Sequence, residues 1–347
     1  MPVLQSVSLS ELHFRKILAV IGRLLAGIDV RDSFSREISY LRMSVTRRCG
    51  FACIYCADRK CRSVPDDELK PSEIFRIAGV LAGAGCHKVR LTGGEPLLRG
   101  DIAEICRGIR DLPGVRELAL TTSGLYLSGM ARELFEAGVS RVNISIDTLD
   151  PVKFEMITGK NCLRKVLTGL EAALSSGFEQ VKINTVLLRG INDDAASIRA
   201  LADLADRHSL DLRFIELMPA GAADFPYGEH FTAGSTVLKA LPELMEIPEG
   251  AGSSGVARMY RREGRPGRIG IISPITGKFC QNCNRIRVLS DGRLRTCLLG
   301  GEEFNLRKLS EPEIAEVFRK ACALRPKEHG ISAGSTGFRI PMQGIGG

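Results

Sequence analysis

The stretch YLRMSVTRRCGFACIYC, residues 40–56, carries a strand-like run straight into three cysteines. Cys49, Cys53 and Cys56 form a Cys-x3-Cys-x2-Cys pattern. Three thiolates hold three corners of a cubane iron–sulfur cluster and leave the fourth iron without a protein ligand. An open iron points to a cluster that does chemistry rather than one that only carries electrons.

Outward from this stretch, strand-like runs recur as KVRLT (88–92), VRELALT (115–121), RVNISI (141–146), QVKINTVLL (180–188) and DLRFIEL (211–217). Helix-like runs fall between them, near 72–83, 101–110, 128–137, 163–176 and 194–207, the last with Asp193 or Asp194 as its cap. Six strand-then-helix units predict a parallel sheet with helices outside. Right-handed crossovers would curl it into about three quarters of an eight-fold barrel. The fold class expected is α/β, a partial (βα)6 TIM-like barrel.

From near residue 219 the texture changes. The stretch 248–268 is rich in Gly, Ser, Arg and Pro and reads as a loop. Short strands follow at 267–272, 285–290 and 293–297, the last two separated by Asp291-Gly292, a strong hairpin signal. A helix is expected around 311–322, then a Gly-rich tail ending Gly346-Gly347. This is a C-terminal α+β extension. At the other end, Ile17, Ile21, Leu24 and Ile28 share one helical face. Arg23 splits that run and no small-residue cleavage site follows, so it does not read as a signal peptide. The division predicted is a helical extension over 1–31, the partial barrel over 32–220 and a C-terminal domain over 221–347.

No apolar span in the 347 residues is long enough to cross a bilayer. The net charge of +8 suits an anionic ligand or nucleic acid. Arginines stand beside the chemical motifs rather than in one basic tail, which favours a small anion. Aromatics are only 5% of the chain and offer no stacking platform for bases. Eleven cysteines point to metal or redox chemistry in a reducing compartment, the cytoplasm. Cys61, Cys86, Cys106, Cys162 and Cys322 are scattered and read as buried or incidental thiols.

The unusual residues gather at the expected carboxyl ends of strands, where barrel enzymes place their sites. Leu91-Thr92-Gly93-Gly94-Glu95-Pro96 ends the second strand, and Thr121-Thr122-Ser123-Gly124 the third. Asn143, Ser145 and Asp147 follow on the fourth, Lys182 on the fifth and Glu216-Leu217-Met218 on the sixth. Gly93-Gly94 reads either as a tight turn or as a close backbone approach to a ligand. Asp147 and Glu95 are candidates for acid–base or hydrogen-bonding roles. The five histidines form no nucleophilic arrangement.

A second cysteine set, Cys280-x2-Cys283-x13-Cys297, leaves two readings open. A structural zinc site would want a fourth Cys or His, and only the distant His329 offers one. A second cubane would again have an open iron. Arg285 and Arg287 lie against this set and share one face of a strand. They form either a solvated charged face or a clamp for a phosphate-bearing substrate.

CGFACIYC with LTGGEP resembles the radical S-adenosylmethionine enzymes. CQNCNRIRVLSDGRLRTCL (280–298), RVNISIDTLD (141–150), VKINTVLLRGIND (181–193), RFIELMPAG (213–221) and the terminal Gly-Gly narrow the resemblance to the GTP 3′,8-cyclase family. It covers residues 32–347. It implies a lyase that converts GTP to (8S)-3′,8-cyclo-7,8-dihydroguanosine 5′-triphosphate in molybdenum cofactor biosynthesis. The implied cofactors are two [4Fe–4S] clusters and S-adenosylmethionine. Cleavage of that cofactor at the first cluster would yield a 5′-deoxyadenosyl radical, which takes the C3′ hydrogen of GTP so that C3′ joins C8. The resemblance assigns Cys49, Cys53 and Cys56 to the first cluster and Cys280, Cys283 and Cys297 to the second. Tyr55, Gly94, Ser145 and Met218 match positions that contact S-adenosylmethionine. Arg42, Arg90, Thr121, Lys182, Arg285, Ile286 and Arg287 match GTP-contacting positions, and Gly346 and Gly347 a tail that enters the site. Arg285, Arg287, Gly346 and Gly347 are the catalytic assignments. The implied partners are an electron donor such as flavodoxin or ferredoxin and, downstream, cyclic pyranopterin monophosphate synthase. The chain would act as a monomer or homodimer, without nucleic acid or membrane.

The match has departures. The family pattern Asp-Arg-Cys-Asn-Phe-x-Cys carries Arg47 and Gly50 here in place of Asp and Asn, and Ser123 stands where Asn is usual. These bear on loop geometry and hydrogen bonding. Cys61 is an extra thiol near the first set. Two other readings compete: a two-cluster radical enzyme acting on a different substrate, such as a peptide, and an iron–sulfur or zinc protein that binds nucleic acid. The arginine set favours the triphosphate.

Overall fold

The computed structural model describes residues 31–56, 67–221, 225–248, 256–331 and 342–345. The helix expected over 17–28, Cys61, Gly346 and Gly347 lie outside the described residues.

The six expected strands form as β1 (Tyr40–Ser44), β2 (Lys88–Thr92), β3 (Glu117–Thr122), β4 (Arg141–Ser145), β5 (Gln180–Leu187) and β6 (Asp211–Glu216). Each pairs in parallel with the next. Helices α1 (Pro71–Gly83), α2 (Ile102–Arg110), α3 (Ala131–Glu136), α4 (Pro151–Thr158), α5 (Leu163–Ser175) and α6 (Ala195–Arg207) lie between them. Asp194, not Asp193, caps α6 by accepting the Ser197 N–H. The sequence reading missed α4, although Asp150 accepts from the Val152 and Lys153 amides and Pro151 sits at the first helical position.

The C-terminal third completes the sheet. After the short helices α7 (Tyr227–His230) and α8 (Ser235–Ala240) come β7 (Leu244–Glu246), β8 (Arg258–Arg262), β9 (Arg268–Ile272), β10 (Arg285–Val288), β11 (Arg293–Cys297) and β12 (Gly300–Asn305). β9 adds in parallel to β6 at one edge, and β10 in parallel to β1 at the other. The twelve-stranded order is β12-β11-β10-β1-β2-β3-β4-β5-β6-β9-β8-β7. Residue 220 thus marks a change in connectivity while the core continues across it. Ile269, Ile286, Val288 and Leu294 bury in the same cluster as Leu41, Val89 and Leu212. Helix α9 (Glu311–Ala323) closes the region, and α10 (Met342–Ile345) belongs to the tail. At 291–292 the hairpin turns with Gly292 at φ +89°, and the Leu289 N–H donates to the Arg293 carbonyl.

Each central strand alternates by twos, and the two faces have opposite character. Leu41, Met43, Val89, Leu91, Leu118, Leu120, Val142, Ile144, Ile183, Leu212 and Phe214 bury in the apolar core. The opposite face carries Arg42 paired with Arg90 and with Arg287, Tyr40 with Lys88 and Arg285, and Asn143 with Lys182. The register therefore stacks cations on the concave side, while the aliphatic face buries about 1.5–3 kcal/mol per large side chain.

Gly93 and Gly94 have negative φ, so left-handed backbone is not what requires them. A Cβ at Gly94 would lie 2.3 Å from the Arg48 carbonyl oxygen and 2.6 Å from that of Arg47. The Gly94 N–H donates to the Thr46 carbonyl at 2.7 Å. The pair lets the β2 end lie on the backbone of the cysteine loop. Gly94→Ala is expected to cost about 1–3 kcal/mol by overpacking and to lower iron occupancy at the first cysteine set. A thermal melt and iron analysis check this.

Candidate functional site

Three cavities adjoin: the first opens at the carboxyl ends of the strands, while the middle one runs along the polar face of the sheet back to the first residues of β1, β2 and β4. The first, about 1100 Å³, is bordered by Cys49, Cys53 and Cys56. Tyr55, Gly94, Thr121, Ser145 and Met218 also line it. The Tyr55 hydroxyl donates to Asp147 at 2.7 Å, and the Val186 N–H donates to the other carboxylate oxygen at 2.8 Å. Burial raises Asp147 to about 6 against those hydrogen bonds. Glu95 is fully buried below the Gly-Gly turn and accepts from the Ser123 N–H and hydroxyl, the Thr122 hydroxyl and the Leu97 N–H. Ser123 thus joins β3 to the β2 end through Glu95.

The middle chamber, about 950 Å³, is lined by Arg42, Arg90, Lys182, Arg285 and Arg287, together with Lys88, Arg141 and Arg213. Charges of one sign at such density need counter-ions. Asp211 lies 3.1 Å from Lys182 and 2.7 Å from Arg268, and Glu117 lies 2.5 Å from Lys88. Glu117 and Glu179 also lie 3.5 and 3.7 Å from Arg141. Eight cations lining one cavity give it a strongly positive field that suits an anion. Burial, with Arg213 nearby, lowers Lys182 to about 8 despite Asp211. Burial and Arg285 lower Arg287 to about 10. Tyr40 accepts a hydrogen bond from Arg90. Burial alone would raise its phenol, but Arg90, Arg42, Arg285 and Lys88 bring it down to about 7. Asn143 Oδ1, Asn184 Oδ1 and Arg213 Nε are buried there without a hydrogen-bond partner among the described residues. Unsatisfied polar atoms in an anion chamber fit a polar, charged ligand.

Thr121 borders the first cavity, and its hydroxyl accepts from Arg90 at 3.3 Å. Ile286 is placed unlike its arginine neighbours: its side chain is 1% exposed, faces the apolar core and lines none of the three cavities. The alternation that turns Arg285 and Arg287 inward turns Ile286 outward, which leaves only its backbone to meet a ligand.

The third cavity, about 570 Å³, is bordered by Cys280, Cys283 and Cys297 and by Arg285 and Arg287. Met218 lines all three cavities. Met342 of α10 lines the first and middle ones, so the tail returns to the site. Among the described residues no three His, Cys, Asp or Glu side chains converge as a single ion requires. His329 also borders this cavity, with its Nε2 donating to the Pro274 carbonyl at 2.9 Å and its Nδ1 accepting from the Ile331 N–H at 3.4 Å. Three thiols around one cavity, with two arginines against them, fit the donor set of a polynuclear cluster.

Cys283 stands apart from Cys280 and the first set, since burial raises Cys280 as it raises the first set. Burial raises the Cys49, Cys53 and Cys56 thiols, Cys56 to about 12. Thiolates there depend on the metal's own charge. Burial also acts on Cys283, but Arg285, Arg325 and Arg287 outweigh it and hold that thiol below its ordinary value.

Other residues at the site are structural. Glu216, with no exposure, accepts from the Gly234, Ile275 and Thr276 amides and from the Thr276 hydroxyl. It ties the β6 end to the segment leading into Cys280. Arg47 pairs with Asp291 in the β10–β11 hairpin, so this departure links the first cysteine loop to the C-terminal third. Lys88, Arg141, Asn184 and Arg213 were not singled out from sequence. Counting by twos from Arg90, Asn143, Lys182 and Ile215 along their own strands finds all four.

Residues 43–202 match the model of the radical SAM superfamily, and residues 210–331 that of the molybdenum cofactor synthesis C-terminal family. The chain is 42% identical over 323 residues to the GTP 3′,8-cyclase of Peptoclostridium acidaminophilum, covering 91% of this chain and 98% of that one. It is 40% identical over 313 residues to the GTP 3′,8-cyclase of Pseudomonas entomophila, covering 87% and 93%. Streptococcus suis SuiB bound to precursor peptide SuiA shares the fold with TM-score 0.60 at 12% identity, covering 91% and 72%. Native anSMEcpe with bound AdoMet shares it with TM-score 0.56 at 15% identity, covering 81% and 82%.

Proposed function

The chain belongs to the GTP 3′,8-cyclase family of radical S-adenosylmethionine enzymes, and we propose that its three cavities divide that family's reaction among them. The reaction is the lyase step of molybdenum cofactor biosynthesis that turns GTP into (8S)-3′,8-cyclo-7,8-dihydroguanosine 5′-triphosphate. The observation that carries the assignment is the cation chamber walled by a three-cysteine cavity on either side.

In this reading Cys49, Cys53 and Cys56 hold one [4Fe–4S] cluster, and Cys280, Cys283 and Cys297 the other. With S-adenosylmethionine the first cluster supplies a 5′-deoxyadenosyl radical when both are bound. Tyr55, Gly94, Ser145 and Met218 seat S-adenosylmethionine, with Asp147 fixing the Tyr55 hydroxyl. Arg42, Arg90, Lys182, Arg285 and Arg287 bind the triphosphate, joined by Arg213 and Lys88. Thr121 orients Arg90, and Ile286 contributes only backbone. Met218, common to the three cavities, separates cofactor from substrate. Gly346 and Gly347, outside the described residues, keep the role the family resemblance gives them. Residues 32–220 hold the first cluster and S-adenosylmethionine and supply most of the triphosphate cations, while 221–347 hold the second cluster with Arg285 and Arg287. A flavodoxin or ferredoxin supplies the electron, and cyclic pyranopterin monophosphate synthase takes the product. We place the enzyme in the reducing cytoplasm, since the ten described cysteines are free thiols.

Reduced protein given S-adenosylmethionine and GTP should release 5′-deoxyadenosine and the cyclised nucleotide together. Equal deoxyadenosine without GTP, and no cyclised product, would show the substrate to be wrong.

The electrostatics also set a pH dependence. As pH rises from 7 to 9, Tyr40 becomes a phenolate and Lys182 loses its charge, and both changes make the chamber less positive. The GTP Kd should therefore rise about tenfold or more over that range, at roughly 1 kcal/mol per charge. Tyr40→Phe should lose the part of the rise centred near pH 7, as isothermal titration would reveal.

A further inference from the structure

Behind the second cysteine set lies a buried Arg–Asp–Arg triad that spans the two ends of the described chain. Arg325 follows α9 and is 5% exposed. Its Nη2 donates to the Cys283 carbonyl at 3.1 Å and to the Cys283 Sγ at 3.4 Å. Its Nη1 donates to Asp32 at 2.8 Å, and its Nε to the Thr296 carbonyl, beside Cys297, at 3.4 Å. The Asp32 carboxylate has no exposure and also accepts from Arg36 Nε at 2.6 Å and from the Phe34 and Arg36 amides at 3.0 Å. Arg36 donates onward to the Cys280 carbonyl at 2.8 Å. The triad thus grips the backbone at or beside all three cysteines, but only Arg325 reaches a sulfur.

We propose that Arg325, oriented by Asp32, is the positioning residue of the second cluster, and that its N–H···S bond to Cys283 raises that cluster's reduction potential. The proposal rests on the reading that Cys280, Cys283 and Cys297 hold an iron–sulfur cluster. Reduction adds negative charge to a cluster, and a cation or N–H donor at a ligand sulfur stabilises the reduced form more than the oxidised one. Asp32 neutralises one of the two arginines and holds the fork of Arg325 with one edge on the acid and the other on Cys283. A lysine would keep the charge but lacks the fork that bonds both at once.

The test is an EPR-monitored redox titration of the full chain, anaerobically reconstituted, with Cys49, Cys53 and Cys56 replaced by Ala so that only the second cluster reports. Arg325→Gln should lower the reduced-to-oxidised ratio at fixed potential about tenfold, near 59 mV for a one-electron couple, while retaining about four irons. Arg325→Lys should recover part of the shift. Arg36→Gln, which disturbs the same triad without touching sulfur, should lower the melting temperature and leave the potential in place. An unchanged potential in Arg325→Gln overturns the proposal, as does an equal shift in Arg36→Gln. If the Gln variant holds no iron, the Lys variant is compared with the parent. Failure of both to assemble a cluster leaves Arg325 a support only and overturns the tuning claim. Zinc or no iron in the parent would instead sink the cluster reading beneath it.

Discussion

Arg287→Ala raises the Kd for GTP about a hundredfold or more and leaves that for S-adenosylmethionine within about twofold. Truncating one partner of a desolvated charge pair typically costs 2–5 kcal/mol. Arg287 is 4% exposed, stands in register with Arg42 and lines both the middle chamber and the second cysteine cavity. It is absent from the first cavity, where Tyr55 and Ser145 lie. Burial and Arg285 lower Arg287 to about 10, against Cys297, Cys283 and Tyr40, which raise it. Arg287→Met, which keeps the packing of the stem, should likewise abolish tight GTP binding. Isothermal titration with each ligand decides it. Weakened S-adenosylmethionine binding with GTP untouched would reverse the placement of the two ligands.

Cys53→Ala and Cys283→Ala each remove about four of about eight irons, with opposite chemical outcomes. Cys53 borders the cavity of Tyr55, Ser145 and Met218, so its loss should end cleavage of S-adenosylmethionine altogether. Cys283 borders the cavity of Arg285 and Arg287, so its loss should leave some deoxyadenosine formation but no cyclised nucleotide. Iron analysis with chromatography of both products separates the cases. Cyclised product from Cys283→Ala would remove the second set from the chemistry.

Much of this molecule is readable from short-range pattern. The six strands and the helices between them, α4 excepted, follow from runs of alternating apolar residues set apart by longer helical runs. Both cysteine sets are explicit in their spacing. Where the reading fell short, the cause was local. Arg258–Arg262 carries arginines enough to look like loop and pairs as a strand between β9 and β7. Ile286 was carried along with its arginine neighbours, though period-two geometry sends it the other way.

The choice between readings of Gly93-Gly94 lay beyond sequence, because the residue that a Cβ would strike, Arg48, belongs to another loop. The same holds for Arg47, whose partner Asp291 is 244 positions away. Sequence by itself determined which residues can ligate iron, the six strands of the barrel and which side of each is charged, since these depend on bonding preferences and a two-residue period. Only the tertiary structure decided that β10 closes against β1 and β9 against β6. Parallel register then stacks cations from distant segments around one chamber, and burial and mutual repulsion give those groups the altered proton affinities a polyanion would restore.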